Sequence, residues 1–129
     1  MISVDTNIVI RFLTHDDDDQ FNKSYKLFKE YDVFIPDSVI LESEWVLRYA
    51  YDFASGKICD ALTKLFGLPN IHLVNPLVIA QAIEWHRQGL DFADALHLAN
   101  SQEQRQLFTF DRRFISKARG CGRCSVLEP

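Results

Sequence analysis

Long hydrophobic runs are missing from this sequence. Its apolar stretches are only a few residues each, far short of the roughly 20 needed to cross a bilayer, so no membrane span is expected. The opening MISVDTN lacks the charged-then-apolar pattern of a leader, so secretion is not expected. Cysteine is scarce and odd in number: Cys59, Cys121 and Cys124 in an unsecreted chain point to reduced thiols rather than a disulfide framework. Cys121 and Cys124 have metal-like spacing, but a zinc site needs two further ligands and none stands nearby. Positive charge is also short. The formal net charge of −4 does not by itself advertise nucleic-acid binding.

What is present describes a folded chain. Hydrophobic residues at 47% and charged residues at 25% suit a globular protein and exclude a disordered one. Its 129 residues are enough for one domain with a real core, and no repeat or low-complexity linker divides them. Charge is unevenly spread. Residues 112–123 hold Arg112, Arg113, Lys117, Arg119 and Arg123 with no acid, while the acids crowd the first two thirds, most densely at Asp16–Asp19. Such a basic end is weak support for an anionic partner.

Short apolar segments alternate with helical patterns. Ile2–Val4, Val33–Ile35, Ile71–Val74 and Leu107–Phe110 read as strands, with Ser125–Leu127 as a fifth at the edge. Helices are expected after Asp5-Thr6-Asn7, from Asp16–Asp19, over Ser38–Tyr51, after a Ser55 cap, and from Pro76 to a stop at Gly89. Another runs from about Phe92 to about Gln104. This alternation predicts an α/β fold, a three-layer sandwich of helices around a short, mainly parallel sheet.

In parallel sheets, ligands sit beyond the carboxyl ends of the strands, and Asp5 and Asp111 fall there. Each has a bland reading as a helix N-cap. Asp37 follows the same pattern but reads as a plain cap, and Asp16–Asp19 as an acidic first turn favoured by the helix dipole. On a helix, Glu42 shares the face of Val39 and Val46, so it is taken as the inward acid and Glu44 as a surface residue. Asp91 and Asp94 lie three apart on one helical face, within Asp91-Phe92-Ala93-Asp94-Ala95-Leu96-His97-Leu98-Ala99. A capping box explains Asp91 but not Asp94, which stands in a helix apolar on most sides. His97 reads as a hydrogen-bonded core histidine. Asp5, Glu42, Asp94 and Asp111 come from four elements that can converge. Such a cluster needs a compensating charge, and an oxygen-only donor set suits Mg²⁺ or Mn²⁺ better than zinc. The basic segment after Asp111, through Arg112, Arg113 and Lys117, can then steady a phosphate backbone.

The stretches VDTNIVIRFL, LESEWVLR, DFADALHLA and FTFDRRF, in this order and at these distances, resemble the PIN-domain family, with greatest similarity to the VapC toxins of bacterial toxin–antitoxin pairs. The resemblance covers nearly the whole of residues 1–129 as a single PIN domain. It implies a cytoplasmic, Mg²⁺-dependent endoribonuclease, with Mn²⁺ able to substitute, that acts on RNA, pairs with itself as a homodimer and is neutralised by a cognate antitoxin. By the same resemblance the four family acids correspond to Asp5, Glu42, Asp94 and Asp111, and Asp91 to a further acid of the metal site. Thr6, Asn7 and Thr109 match positions that support that site.

The same residues fit other activities. The same acids would serve a structure-specific DNA nuclease, and the same fold a catalytically silent interaction domain. A phosphoacceptor receiver module fits poorly. It needs paired acids after the first strand, where one stands here, and its third strand would not end in Asn75-Pro76.

Overall fold

The computed structural model describes residues 1–129 and contains seven helices and five strands. The architecture is α/β with parallel pairing throughout, and the chain forms two compact units, Met1–Pro76 and Leu77–Pro129. The strands are divided between them rather than gathered in the single sheet expected. Three belong to the first unit and two to the second.

In the first unit, β1 (Ile2–Ser3), β2 (Val33–Phe34) and β3 (Ile71–His72) pair in that order, with Ile2, Val33 and Ile71 in register. Four helices connect them: α1 (Thr6–Thr14), α2 (Asp18–Glu30), α3 (Asp37–Tyr49) and α4 (Ser55–Phe66). Strands this short hold because their backbone bonds run past the paired residues, as in Ile35 N–H to the His72 carbonyl at 3.0 Å. Val33, Ile35, Ile40, Leu47, Ile58 and Leu62 are buried almost completely. Phe12 of α1 meets Phe28 of α2 with ring centres 4.6 Å apart and stacks on Phe21, which gives this helix pair an aromatic seam.

Two capping expectations are corrected. Pro36, not Asp37, is the N-cap of α3, and Asp37 lies inside the first turn with a buried carboxylate oxygen lacking a partner. Ala54 precedes α4, so Ser55 is its first residue rather than its cap. The acidic run behaves as expected in part. Asp17 caps α2 by accepting the Gln20 N–H at 3.0 Å, and Asp18 and Asp19 occupy the first turn. Asp16 instead turns back. It accepts the Tyr51 hydroxyl at 2.6 Å and lies 3.3 Å from Arg11.

The second unit contains α5 (Pro76–Arg87, its proline shared with the boundary), α6 (Phe92–Ala99), β4 (Gln106–Phe108), α7 (Arg112–Lys117) and β5 (Ser125–Leu127). β4 and β5 pair in parallel, Phe108 opposite Leu127. Gly89 ends α5 as expected. Its φ of +111° lets the Gly89 N–H reach the His86 carbonyl and the Leu90 N–H reach that of Trp85, which satisfies two carbonyls at the helix end. α6 is shorter than expected: Asn100 closes it and turns fill the interval to β4. The Asn100 side chain folds back to the Leu96 carbonyl, a local bond that competes with helix propagation. All three cysteines are free thiols.

Hydrogen bonding by Tyr51 and Thr14, followed by the charge of Arg11, holds the Asp16 carboxyl below its ordinary value of 3.8. A depressed value means that the folded state favours the carboxylate, so the contribution is present above about pH 4 and is lost as acid protonates the native state. Asp16→Asn is expected to lower the thermal midpoint at neutral pH, with the deficit shrinking as pH falls below about 4. Unfolding curves of both proteins across that range test it.

Candidate active site

Asp5, Thr6, Asn7 and Glu42 lie in the first unit. β1 ends two residues before Asp5, and the Asp5 carboxylate caps α1 by accepting the Ile8 N–H at 3.2 Å. A strand running directly into a helix leaves the first amides of that helix without partners, and an aspartate satisfies one while staying at the surface. Asp5 is exposed, Thr6 is buried beneath the first turn and Asn7 is exposed. α3 follows the neighbouring strand β2 and packs against α1, so Asp5 lies at one strand–helix junction and Glu42 in the second turn of the helix that leaves the next.

The assignment of faces on α3 is reversed from expectation. Glu42 is exposed, whereas Glu44 is 1% exposed and forms a two-pronged ion pair with Arg48, at 2.8 and 3.0 Å. The buried stripe runs through Ile40, Ser43, Glu44 and Leu47, not through Val39 and Val46, both half-exposed. Anchoring the helical wheel on the valines turned it by about one residue, roughly 100°. The signal for the pair was present in the sequence, an acid four residues before an arginine.

The second unit holds Asp91, Asp94, Thr109, Asp111, Arg112, Arg113 and Lys117. Asp91 caps α6, accepting the Asp94 N–H at 3.2 Å. Asp111 caps α7 more fully, accepting the N–H groups of Arg113 and Phe114 at 3.0 and 3.1 Å. Thr109 serves it from the other side. The Asp111 N–H donates to the Thr109 hydroxyl oxygen at 3.0 Å, and the Thr109 N–H continues the pairing to Leu127 one residue beyond β4. Arg112 and Arg113 are exposed, and Lys117 donates to the Gly89 carbonyl at 3.0 Å, tying α7 to the end of α5.

Asp94 is different from the capping acids. Phe92, Ala95 and Leu98 around it are fully buried, while Asp94 itself is half-buried and no protein donor serves its carboxylate. Burial pushes its pKa up, and the negative charges of Asp91 and then Asp111 add to the effect; only His97 opposes them. His97 is therefore not the core histidine expected. It is exposed on the outer side of α6, within electrostatic reach of Asp94.

The structure thus places Asp91 and Asp111 within electrostatic reach of Asp94. No set of three Asp, Glu, His or Cys side chains stands close enough to ligate one ion. The donors are nonetheless all hard oxygens, and the negative charge around Asp94 is of the kind that a divalent cation relieves, so the residues fit Mg²⁺ or Mn²⁺ in kind.

A family model for the PIN domain matches residues 2–120, and the chain belongs to that family. Among solved structures it is similar to Mycobacterium tuberculosis VapC20, a toxin that cleaves the sarcin–ricin loop, with 19% identity over 100% of both chains and a TM-score of 0.45. A comparison with curated proteins gives no significant match.

Because ionised Asp94 is disfavoured in the fold, Asp94→Asn is expected to unfold at a temperature equal to or above that of the native chain in the absence of divalent cations. The sign follows from linkage: an acid raised on folding costs stability as pH rises through its shifted value, and the amide carries no such cost. Thermal unfolding above about pH 4 checks this, and a clear loss of stability in the variant would contradict it.

Proposed function

We propose that this chain is a Mg²⁺-dependent endoribonuclease of the VapC kind, with Mn²⁺ able to substitute, acting as the toxin of a toxin–antitoxin pair. In this reading residues 1–129 act as one PIN domain in the cytoplasm, as a homodimer held inactive by its antitoxin. The observation that carries it is Asp94: a carboxyl in an apolar helix, without a donor, whose pKa is pushed up by its burial and then by the charges of Asp91 and Asp111. A carboxyl disfavoured as the anion by burial and by neighbouring acids is a functional-site candidate. Family membership supports the same reading.

Asp5, Glu42, Asp94 and Asp111 are the acids proposed to hold the cation, joined by Asp91, with Thr6, Asn7 and Thr109 as supports. A divalent ion, when bound, would supply a water of lowered pKa and offset charge at phosphorus. The chain's own contributions follow from the geometry already described. Backbone amides fix Asp5, Asp91 and Asp111 at three helix starts, so these carboxylates lose little freedom on binding. Buried Phe92 and Ala95 hold the first turn of α6, which orients Asp94. Thr109 fixes the backbone at Asp111. Arg112 and Arg113, exposed beyond it, suit the phosphates of a bound strand, and Lys117 adds charge from a position braced on Gly89.

Incubating the purified protein with cellular RNA in Mg²⁺ or in chelator tests this. RNA should fragment only with the metal, and Asp94→Asn should lose more than the roughly 10–100-fold typical of changes beyond the direct ligands. Intact RNA beside cut DNA would make the chain a DNA nuclease, and neither nucleic acid cut would make it an interaction domain.

A further inference from the structure

Beyond β4 the chain exposes apolar rings that the acid chemistry does not use. Phe108 is 57% exposed and Phe110 is 78% exposed, while Leu107 and Thr109 between and before them are half-buried. Leu127, the register partner of Phe108, is 37% exposed and widens the same patch. A lone exposed apolar residue is ordinary, but Phe108 and Leu127 in register, with Phe110 two residues past the end of β4, make a run of exposed apolar side chains.

Cations adjoin it. Arg112 and Arg113 follow Phe110 by two and three residues; both are exposed, and Arg112 has only a loose 3.9 Å approach to Glu128. Residues 112–123 carry five basic side chains and no acid. Flat apolar rings beside guanidinium groups match a strand whose bases are free to stack and whose phosphates are charged. A duplex hides its base faces and would use only the cations. The patch also ends at Asp111, so bases stacked there would lie next to a proposed ligand acid.

Resting on the nuclease reading above, we infer that Phe108 and Phe110 form a base-stacking platform which, with Arg112 and Arg113, selects RNA carrying unpaired nucleotides. The platform determines which part of an RNA is presented to the acids; it does not take part in the bond-breaking chemistry.

The test is binding of a short single-stranded oligoadenylate, in chelator so that nothing is cut, beside an abasic strand of the same length and charge. The native chain should bind the base-bearing strand roughly ten-fold more tightly or better, as expected for stacking on an aromatic ring. Phe110→Ala should lose most of that preference and Phe110→Trp keep it, while Arg113→Ala should weaken both strands alike. A ring this exposed is removable without unfolding the chain, and Phe108→Ala gives a second, independent reading. Equal binding of both strands by the native chain overturns the platform while leaving the nuclease reading in place. Binding of neither strand also overturns the platform, and the Mg²⁺-dependent cleavage test decides the nuclease reading separately. If Phe110→Ala instead changes only the sedimentation of the protein, the patch joins copies of this chain and the inference fails.

Discussion

Helix starts at the ends of parallel strands are the constraint on which this molecule is organised. A strand that passes straight into a helix leaves amide groups without partners at the sheet edge, and an aspartate there satisfies them while remaining at the surface. Asp5 and Asp111 occupy such junctions, and Asp91 caps α6 in the same manner. The bland and functional readings of these residues are therefore not rivals. Capping is what makes each carboxylate rigid, and rigidity is what a cation site needs. Asp94 is the residue for which capping offers no account, because it receives no amide and is raised by burial and by its acidic neighbours.

Much of the fold was legible because short apolar segments and turn residues agree. The five strands, the Gly89 stop and the Asp5, Asp91 and Asp111 caps lie where pattern and capping chemistry place them. The division of strands into two sheets was not legible, since local pattern specifies a strand but not its lateral partners. The end of α6 was missed because Ser101 and Gln102 do not break a helical pattern, whereas their side chains bond back to the His97 and Leu98 carbonyls.

The candidate site was legible as a set of acids and less so in its surroundings. On α3 the wheel set on Val39 and Val46 put the wrong glutamate inward, because Ile40 and Leu47 set the buried stripe. Glu44 is accommodated there by a short-range ion pair with Arg48, and a buried acid needs such a partner. His97 was misplaced for a related reason. Its helix is buried on most sides, and a single exposed strip remains for Asn100 and His97. The fourth strand, expected over Leu107–Phe110, runs instead over Gln106–Phe108, and hydrophobicity in so short a run does not reveal that Phe108 and Phe110 lack cover.

Binding of a divalent cation by the proposed acids is tested most simply by calorimetric titration of the purified protein with Mn²⁺. It needs no substrate. Saturable binding in the native chain, lost or much weakened in Asp94→Asn, is the predicted result. Equal binding by both proteins, or none by either, would contradict the claim.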